Sequence, residues 1–209
     1  MNIHYRPATT DDFKAIVELF LDTMNLSLFT SVTDREALRH MAILFLAKDL
    51  HNANHIDIAE CEGELCGVLM GTTRKAVKKA LHFDPDPWLE AADAALSRTP
   101  EGQNVLDDLE QSLEALPPKS RAVSDCDSEL VFFSTRPRYR RRRVGSTLIR
   151  QFETFLHARG ACKYYLYSDS LCTYQFYDAN GFERVERVQN TFNPDIENYT
   201  YVKSVPENA

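Results

Sequence analysis

Six arginines within eight residues form the segment whose residue types and spacing point most directly to chemistry. They are Arg136, Arg138, Arg140, Arg141, Arg142 and Arg143, followed by Val144, Gly145 and Ser146 at the start of an amphipathic stretch. The first amides of a helix have no intrahelical partner and the helix dipole is positive there, so guanidinium groups beside them create a strong phosphate site. We therefore predict that a phosphorylated ligand binds at this helix start.

The rest of the chain is acidic. The whole sequence has a net charge of −7, and without the six arginines 18 basic residues remain against 31 acidic ones. Such a surface repels a long polyanion, whereas one phosphorylated ligand needs only the local basic cluster. Nucleic-acid binding through the arginines is an alternative that this composition disfavours.

Length and composition bound the architecture. A chain of 209 residues with 44% hydrophobic composition fits one α/β domain, residues 1–209, that contains an inserted segment. The sequence has no apolar leader and no apolar run near the ~20 residues that span a bilayer, so we expect a cytoplasmic protein without a membrane partner. The five cysteines are scattered without CxxC pairs, which predicts buried free thiols and neither disulfides nor a metal site.

The first seventy residues predict a strand, two helices and a hairpin. Apolar residues follow helical spacing from Phe13 to Met24, with Thr10 as the cap, and Thr33 with Glu36 has capping-box spacing before the second helix. The strand candidates are 3–6, 55–61 and 64–72, the last two joined by a tight turn at 62–63.

Residues 73–125 differ in composition from the rest of the chain and are predicted to form a helical insertion. Polar residues and five prolines dominate this segment. One short helix is predicted around Trp88, and a second carries a narrow apolar stripe of Val105, Leu109, Leu113 and Leu116. The pair is either docked on the edge of the domain or forms a lid or substrate wall, and the sequence leaves both open.

The second half of the chain predicts alternating strands and helices. Residues 129–134 suit a central strand buried on both faces, and 144–159 form a helix that ends at Gly160. The remaining elements are a strand at 163–167, a short helix at 172–179 closed by Asn180-Gly181, and strands at 182–189 and 199–205.

The arginine segment resembles the acetyl-CoA-binding segment of the GNAT (GCN5-related N-acetyltransferase) superfamily. That segment reads Pro-x-Tyr-Arg-Gly-x-Gly-Ile-Gly and contains [Gln/Arg]-x-x-Gly-x-[Gly/Ala]; here Arg140 is the leading residue, Gly145 the closing small residue, and Arg143 replaces the first glycine of the bracketed pattern. Arg143 either weakens the phosphate cradle through its Cβ, or points outward and adds a cation for the 3′-phosphate of CoA. We favour the second interpretation.

A second segment, residues 167–182, resembles the later GNAT motif that ends in Phe-Tyr-x-x-x-Gly-Phe. The two motifs occur in the family's order, with a helix and a strand between them. Neither GxxxxGK[ST] nor GxGxxG is present, which argues against a nucleotide triphosphatase.

The resemblance implies a fold and a cofactor. It implies an α/β GNAT fold with a mixed, mostly antiparallel sheet of about six to seven strands flanked by helices, in which the strands at 129–134 and 163–167 run parallel and splay apart. Acetyl-CoA lies in that cleft as co-substrate, and no metal is implied. Backbone groups of two stretches would hold it: Phe133, Ser134 and Thr135 for the pantetheine, and Arg140, Arg141, Arg142, Arg143, Val144, Gly145 and Ser146 for the pyrophosphate.

The implied reaction is transfer of the acetyl group to a primary amine of a small molecule or peptide by direct attack. Tyr177 occupies the family position beside the CoA sulfur and is predicted to be the general acid, although it could simply be a core aromatic. Asp169 or Glu129 could be the base; alternatively Asp169 caps the next helix and Glu129 only begins a strand. Cys172 suggests an acyl-cysteine, but no histidine follows nearby, so a packed thiol is preferred.

The sequence leaves several alternatives open. A non-catalytic CoA-binding GNAT-like protein is suggested by the missing glycine, and a nucleic-acid-binding protein by the arginines. The identity of the acceptor is open. A homodimer is common for such folds, and the oligomeric state is also open.

Overall fold

In the computed structural model, seven strands form one mixed sheet. The structure describes residues 2–114, 120–190 and 193–207 and, for Leu113 and Glu114, the backbone alone. The strands lie in the order β1-β2-β3-β4-β5-β7-β6. Their bounds are β1 Ile3–Pro7, β2 His55–Cys61, β3 Glu64–Thr73, β4 Ser128–Thr135, β5 Lys163–Asp169, β6 Glu183–Gln189 and β7 Glu197–Ser204.

In the described part of the chain, six α-helices connect and cover these strands. They are α1 Phe13–Thr23, α2 Arg35–Asn52, α3 Asp86–Leu96, α4 Pro100–Glu114, α5 Val144–His157 and α6 Gln175–Ala179. The architecture confirms the predicted sheet, because β4 and β5 are its parallel pair and the other neighbours are antiparallel. Most element bounds agree with the sequence patterns to within a few residues.

Side chains alternate between two cores, one on each face of the sheet. On the first face, the apolar sides of α1 and α2 bury Ile16 and Met41 against Met70 and Phe132. On the second face, α5 buries Phe152 within the cluster that holds Tyr164. Burial of apolar surface on both faces stabilises β3 and β4 as central strands, at about 25 cal/mol per Å².

The parallel strands β4 and β5 pair only at their beginnings. Ser128 lies opposite Tyr164 and Glu129 opposite Tyr165, and no further pair joins them in the described part of the chain. The register of β4 against β3 shifts after Leu130, which leaves Val131 as an extra residue. A bulge bends its strand, so this one accounts for the separation of β4 from β5.

Helices α3 and α4 pack beside α1 and α2. Leu96 and Val105 are buried in the first core, and the Trp88 ring lies edge-on to Phe13 with centroids 4.8 Å apart. Thr30 donates a hydrogen bond of 2.6 Å to Asp108 of α4. These contacts support the docked interpretation of the helical pair; the side chain of Leu113, and Leu116, lie outside the described residues.

Three details of the sequence interpretation were wrong. Thr10 is not the cap of α1: a 3-10 turn starts there, with Thr9 as its cap. The cap of α2 is Asp34, whose carboxylate accepts from the amide of Ala37 at 2.8 Å; Thr33 lies one residue before the cap position. The cysteines are all free, but Cys162 and Cys172 are exposed.

Candidate active site

Three backbone amides at the start of α5 lack helical partners. The first helical hydrogen bond runs from the amide of Thr147 to the carbonyl of Arg143 at 3.0 Å, so Val144, Gly145 and Ser146 precede the ladder. Arg143 occupies the cap position and provides no side-chain acceptor. The positive end of the helix therefore presents N–H groups that an anion can satisfy.

Arg141 and Arg143 both adopt the left-handed backbone conformation, each with φ 62°. These are the two positions at which the GNAT segment has glycine before its helix. A side chain in this conformation costs about 1 to 2 kcal/mol because the Cβ crowds the following carbonyl. Both side chains are exposed, so the turn keeps the path of a glycine-rich loop and directs its guanidinium groups outward. This agrees with the favoured interpretation of Arg143.

The six arginines divide into two groups. Arg136 donates to the carbonyl of Leu65 at 2.9 Å and forms ion pairs with Asp22 and Glu64, and Arg138 also pairs with Glu64. These two arginines therefore fasten the turn to β3 and α1. The four residues 140–143 are exposed, which places the cations for a phosphate on the loop just before α5.

Gly145 permits close packing of aromatic rings at this helix start. A Cβ on Gly145 would lie 3.0 Å from the ring of Phe133 and 3.4 Å from that of Phe176. The rings of Phe133 and Phe176 lie 5.5 Å apart, and Phe133 lies 6.4 Å from Tyr177. The small residue thus brings α5, β4 and α6 together around the cleft.

The edge of β4 that faces β5 has no ladder partner beyond Glu129 within the described chain. On its other edge, Phe133, Ser134 and Thr135 pair with β3 at Leu69, Val68 and Gly67. An extended amide-containing ligand could hydrogen bond to the open edge as an added strand does. The predicted pantetheine residues therefore lie on a suitable edge, directly before the phosphate loop.

Tyr177 lies on α6, which follows β5. Gly181, at φ 77°, ends the helix and leads to the buried Phe182, whose ring packs edge-on against both Tyr177 and Tyr164. The hydroxyl of Tyr177 makes no hydrogen bond to the described residues. Burial, followed by the nearby Cys172, raises the pKa of Tyr177 well above its ordinary value, so the phenol keeps its proton at neutral pH.

Glu129 is the second residue of β4, two positions before the extra residue Val131. The hydroxyl of Tyr165 donates a hydrogen bond to its carboxylate. Burial and this carboxylate raise the pKa of Tyr165 above its ordinary range, which leaves Tyr165 as a permanent donor. Glu129 thus lies where the two parallel strands begin to separate.

Asp169 is occupied by local structure. Its Oδ1 accepts from the amides of Leu171 at 2.7 Å and Cys172 at 3.0 Å, and the thiol of Cys172 donates to Oδ2 at 3.1 Å. Both oxygens hold the turn after β5. Asp169 does not cap the next helix, because Tyr174 occupies the cap position of α6. Cys172 is not the packed thiol that we expected, because the residue is exposed. Partial desolvation of its thiol, followed by the nearby charge of Asp169, raises the pKa of Cys172 to about 11.

Glu129 and Tyr177 lie on opposite faces of the sheet. Successive residues of β5 point to opposite faces; Tyr165 bonds to Glu129, whereas Tyr164 lies on the side of Phe182 and Tyr177. A group held in the gap between β4 and β5 would therefore have a carboxylate on one side and a phenol on the other.

The sequence reading missed one acidic residue, Asp49 of α2. Burial raises the pKa of Asp49 to about 6, and the charge of Glu129 adds to this shift. No pattern in the sequence separates Asp49 from other polar positions of α2, because its burial depends on packing between helix and sheet. Perturbed carboxylates of this kind cluster at functional sites.

The described residues form neither a metal-binding cluster nor a membrane-spanning helix. They contain no cluster of three or more histidine, cysteine or acidic side chains able to hold a metal ion. None of their helices combines the length and apolar composition that crossing a bilayer requires.

Comparison with known proteins identifies the fold. No protein-family model and no curated protein matches the sequence. Among solved structures, histone acetyltransferase HPA2 and related acetyltransferase from Corynebacterium glutamicum is 20% identical with a TM-score of 0.62, covering 99% of this chain and 98% of that one. A Desulfovibrio desulfuricans protein assigned to the GNAT family of acetyltransferases is 10% identical with a TM-score of 0.55, covering 98% and 100%.

A third similar structure contains coenzyme A. It is PaiA N-acetyltransferase from Thermoplasma acidophilum, 12% identical with a TM-score of 0.54, covering 98% of this chain and 99% of that one. At these identities the likeness concerns the fold, and this chain has the GNAT fold. The predicted resemblance to that superfamily is thereby confirmed at the level of the fold, while the roles of the individual site residues stay predictions.

Proposed function

We propose that this protein with the GNAT fold is an acetyl-CoA-dependent N-acetyltransferase that acts on a primary amine. One observation carries the proposal: the open edge of β4 leads directly into a helix start with three amides without helical partners and a cluster of exposed arginines. A nucleotide-linked thioester needs an amide-binding edge and a phosphate site in this order. The GNAT fold, and the coenzyme A in one similar structure, support the same function.

The residues at this site fit acetyl-CoA. The amides of Val144, Gly145 and Ser146 would receive the pyrophosphate, and Arg141 and Arg143 would add charge around it. The open edge of β4 from Phe133 to Thr135 would receive the pantetheine amides. Bound there, acetyl-CoA supplies an acetyl group activated as a thioester.

We place Glu129 and Tyr177 on either side of the reacting thioester. Glu129 takes a proton from the acceptor amine, whose nitrogen bonds to the acetyl carbon as the carbon–sulfur bond breaks. Tyr177 holds its proton at neutral pH and donates a hydrogen bond, and then the proton, to the departing sulfur. The net reaction moves the acetyl group from sulfur to nitrogen and one proton from nitrogen to sulfur, and exchange with solvent then removes the proton from Glu129 and restores that of Tyr177. Asp169 positions the turn that leads to α6.

A non-catalytic CoA-binding protein is the second candidate. Arg141 and Arg143 replace two of the three glycines of the GNAT segment, and this substitution favours the non-catalytic candidate. The left-handed backbone at both positions weakens this argument for the non-catalytic candidate, because the loop keeps the path that glycines would give it.

Two measurements with the purified protein test the proposal. Acetyl-CoA should raise the melting temperature, since a ligand at a hundred times its Kd stabilises the folded state by about 2.7 kcal/mol. Release of free thiol from acetyl-CoA should then depend on an added amine from a diverse panel. No shift at millimolar acetyl-CoA would contradict the cofactor, and a shift without amine-dependent thiol release would favour the non-catalytic candidate.

A pair of variants locates the binding site. Replacing Arg141 and Arg143 together by Gln should weaken acetyl-CoA binding roughly tenfold, as expected for lost charge-assisted phosphate contacts. The control is Arg150→Gln, which removes an exposed arginine from the next turns of the same helix. Equal effects of the two changes would show only a general influence of net charge.

A further inference from the structure

A cavity of about 590 Å³ opens at the point where β4 and β5 separate. Glu129 and Tyr165, the last residue pair between these strands, form part of its lining. The remaining walls come from the end of β3, the segment that follows it, and residues 120–128. The cavity therefore lies beside the proposed base, at the end of the open β4 edge remote from the phosphate loop.

The two carboxylates of this cavity are committed to protein donors. Asp127 accepts from the hydroxyl of Ser128 at 2.9 Å and from the amide of Cys162 at 3.1 Å. Glu129 accepts from Tyr165.

The three basic side chains of the cavity, by contrast, have no carboxylate partner among the residues that the structure describes. Arg74 donates to the carbonyl of Cys126 at 2.6 Å, and the ammonium of Lys79 donates to the carbonyl of Asn52 at 3.1 Å. Arg121 is exposed at the wall. Among the described lining residues, three cations stand against two carboxylates, so this part of the cavity is positively charged although the protein as a whole is acidic.

We propose that the acceptor is an amine that also carries a carboxylate, as a free amino acid does, and that this carboxylate binds between Arg74 and Arg121. This inference rests on the proposed function and specifies its substrate class. The amine then points to Glu129 while guanidinium groups hold the other end, bidentately where geometry allows.

The charge of the cavity also suits the chemistry of the amine. Attack on a thioester requires the neutral amine, and nearby cations lower the pKa of an ammonium group. A polyamine would bring further positive charge into this positively charged cavity, where its additional ammonium groups would find no carboxylate partner. The proposal therefore predicts discrimination against purely cationic amines.

The test compares amines that differ only by the carboxylate. Suitable pairs are lysine with cadaverine and β-alanine with ethylamine, assayed by thiol release from acetyl-CoA. We expect kcat/KM to be at least roughly tenfold higher for the carboxylated member of each pair, the effect of one charged hydrogen-bonded contact. Equal or reversed preference would overturn the proposal while leaving acetyl transfer itself established.

Variants assign the effect to the cavity. Arg121→Gln changes an exposed side chain and should raise KM about tenfold for the carboxylated amines alone. Arg98→Gln, an exposed arginine between α3 and α4, is the matched control. If Arg121→Gln and Arg74→Gln both leave KM for the carboxylated amines unchanged, or alter both members of a pair equally, the assignment is wrong.

A binding measurement separates this inference from the proposed function. Calorimetry on protein saturated with CoA should show tighter binding of lysine than of cadaverine, and Arg121→Gln should abolish the difference. This readout needs no turnover, so it can succeed where acetyl transfer fails. Equal binding of lysine and cadaverine would count against the carboxylate site directly.

Discussion

At the scale of single residues, the six arginines differ in their surroundings: two form ion pairs within the protein and four are exposed. Arg136 and Arg138 are held by carboxylates of α1 and β3, and those at positions 140–143 are exposed before a helix start. Two of these exposed residues adopt a backbone conformation that glycine tolerates best. Strained backbone conformations cluster at ligand sites, where they serve binding although they lower the stability of the fold.

Replacing Arg143 by Gly should therefore stabilise the ligand-free protein. Relief of the left-handed strain is worth about 1 to 2 kcal/mol, and the greater freedom of glycine in the unfolded chain offsets part of it, so we expect about 0.5 to 1 kcal/mol in urea unfolding. Arg140→Gly is the control, because Arg140 has an ordinary extended backbone with φ −62° and ψ 157°. If both changes destabilise the protein equally, the conformation of Arg143 is not strained.

Tyr177→Phe should lower turnover while leaving acetyl-CoA binding nearly intact. Loss of a general acid typically costs 10²- to 10⁴-fold, and the phenol hydroxyl has no partner among the described side chains whose loss would disturb the fold. The measurement is kcat by thiol release beside the acetyl-CoA-induced melting shift. Tyr174→Phe on the same segment serves as control, since its ring packs against Tyr199 without facing the cleft. Unchanged kcat in Tyr177→Phe would remove its role as acid.

At the scale of elements, the β4 bulge and the parallel pair create the cleft, and α5 and α6 place the reacting groups around it. The helical pair α3 and α4 has a different position. It packs on α1 and α2 through Trp88, Leu96 and Val105 on the first face of the sheet, whereas α5 and α6 lie on the second. Helices α3 and α4 therefore belong to the core on the first face of the sheet and do not cover the cleft.

Trp88 fluorescence tests this docking. The only tryptophan lies against Phe13 and Phe83, so its emission should stay constant when acetyl-CoA or an acceptor amine is added. It should shift to longer wavelength only when the protein unfolds, which provides the positive control. A ligand-dependent change in emission would mean that α3 moves on binding and would restore the lid interpretation.

At the scale of the whole molecule, pH links charge to stability through two groups of opposite behaviour. Arg6 lowers the pKa of Asp12 to about 2, so the stability from that ion pair is present at neutral pH and is lost as the pH falls toward 2. Burial raises the pKa of Asp49 to about 6, so its ionisation opposes folding as the pH rises from about 4 to 6. Stability should decline on both sides of a mildly acidic optimum.

Asp49→Asn removes the second of these effects. The variant should be more stable than the parent by about 2 kcal/mol above pH 7, and the difference should vanish at about pH 3, where the carboxyl is protonated in both states. Urea unfolding at several pH values measures it. A constant difference across this range would show that packing, and not ionisation, separates the two proteins.

The sequence by itself determined the order and type of the elements and the place of the phosphate loop, because periodicity, capping chemistry and turn residues act over short distances. No long-range contact was needed to interpret two features: the run from Arg140 to Ser146 at the start of an amphipathic helix, and Gly181, four residues after Tyr177. Only the tertiary structure showed that Arg136 and Arg138 are bound to Glu64, that Asp169 holds a turn, and that Asp49 is buried near Glu129. Those facts depend on which distant segments pack together, since burial and partners set the charge state and availability of a side chain.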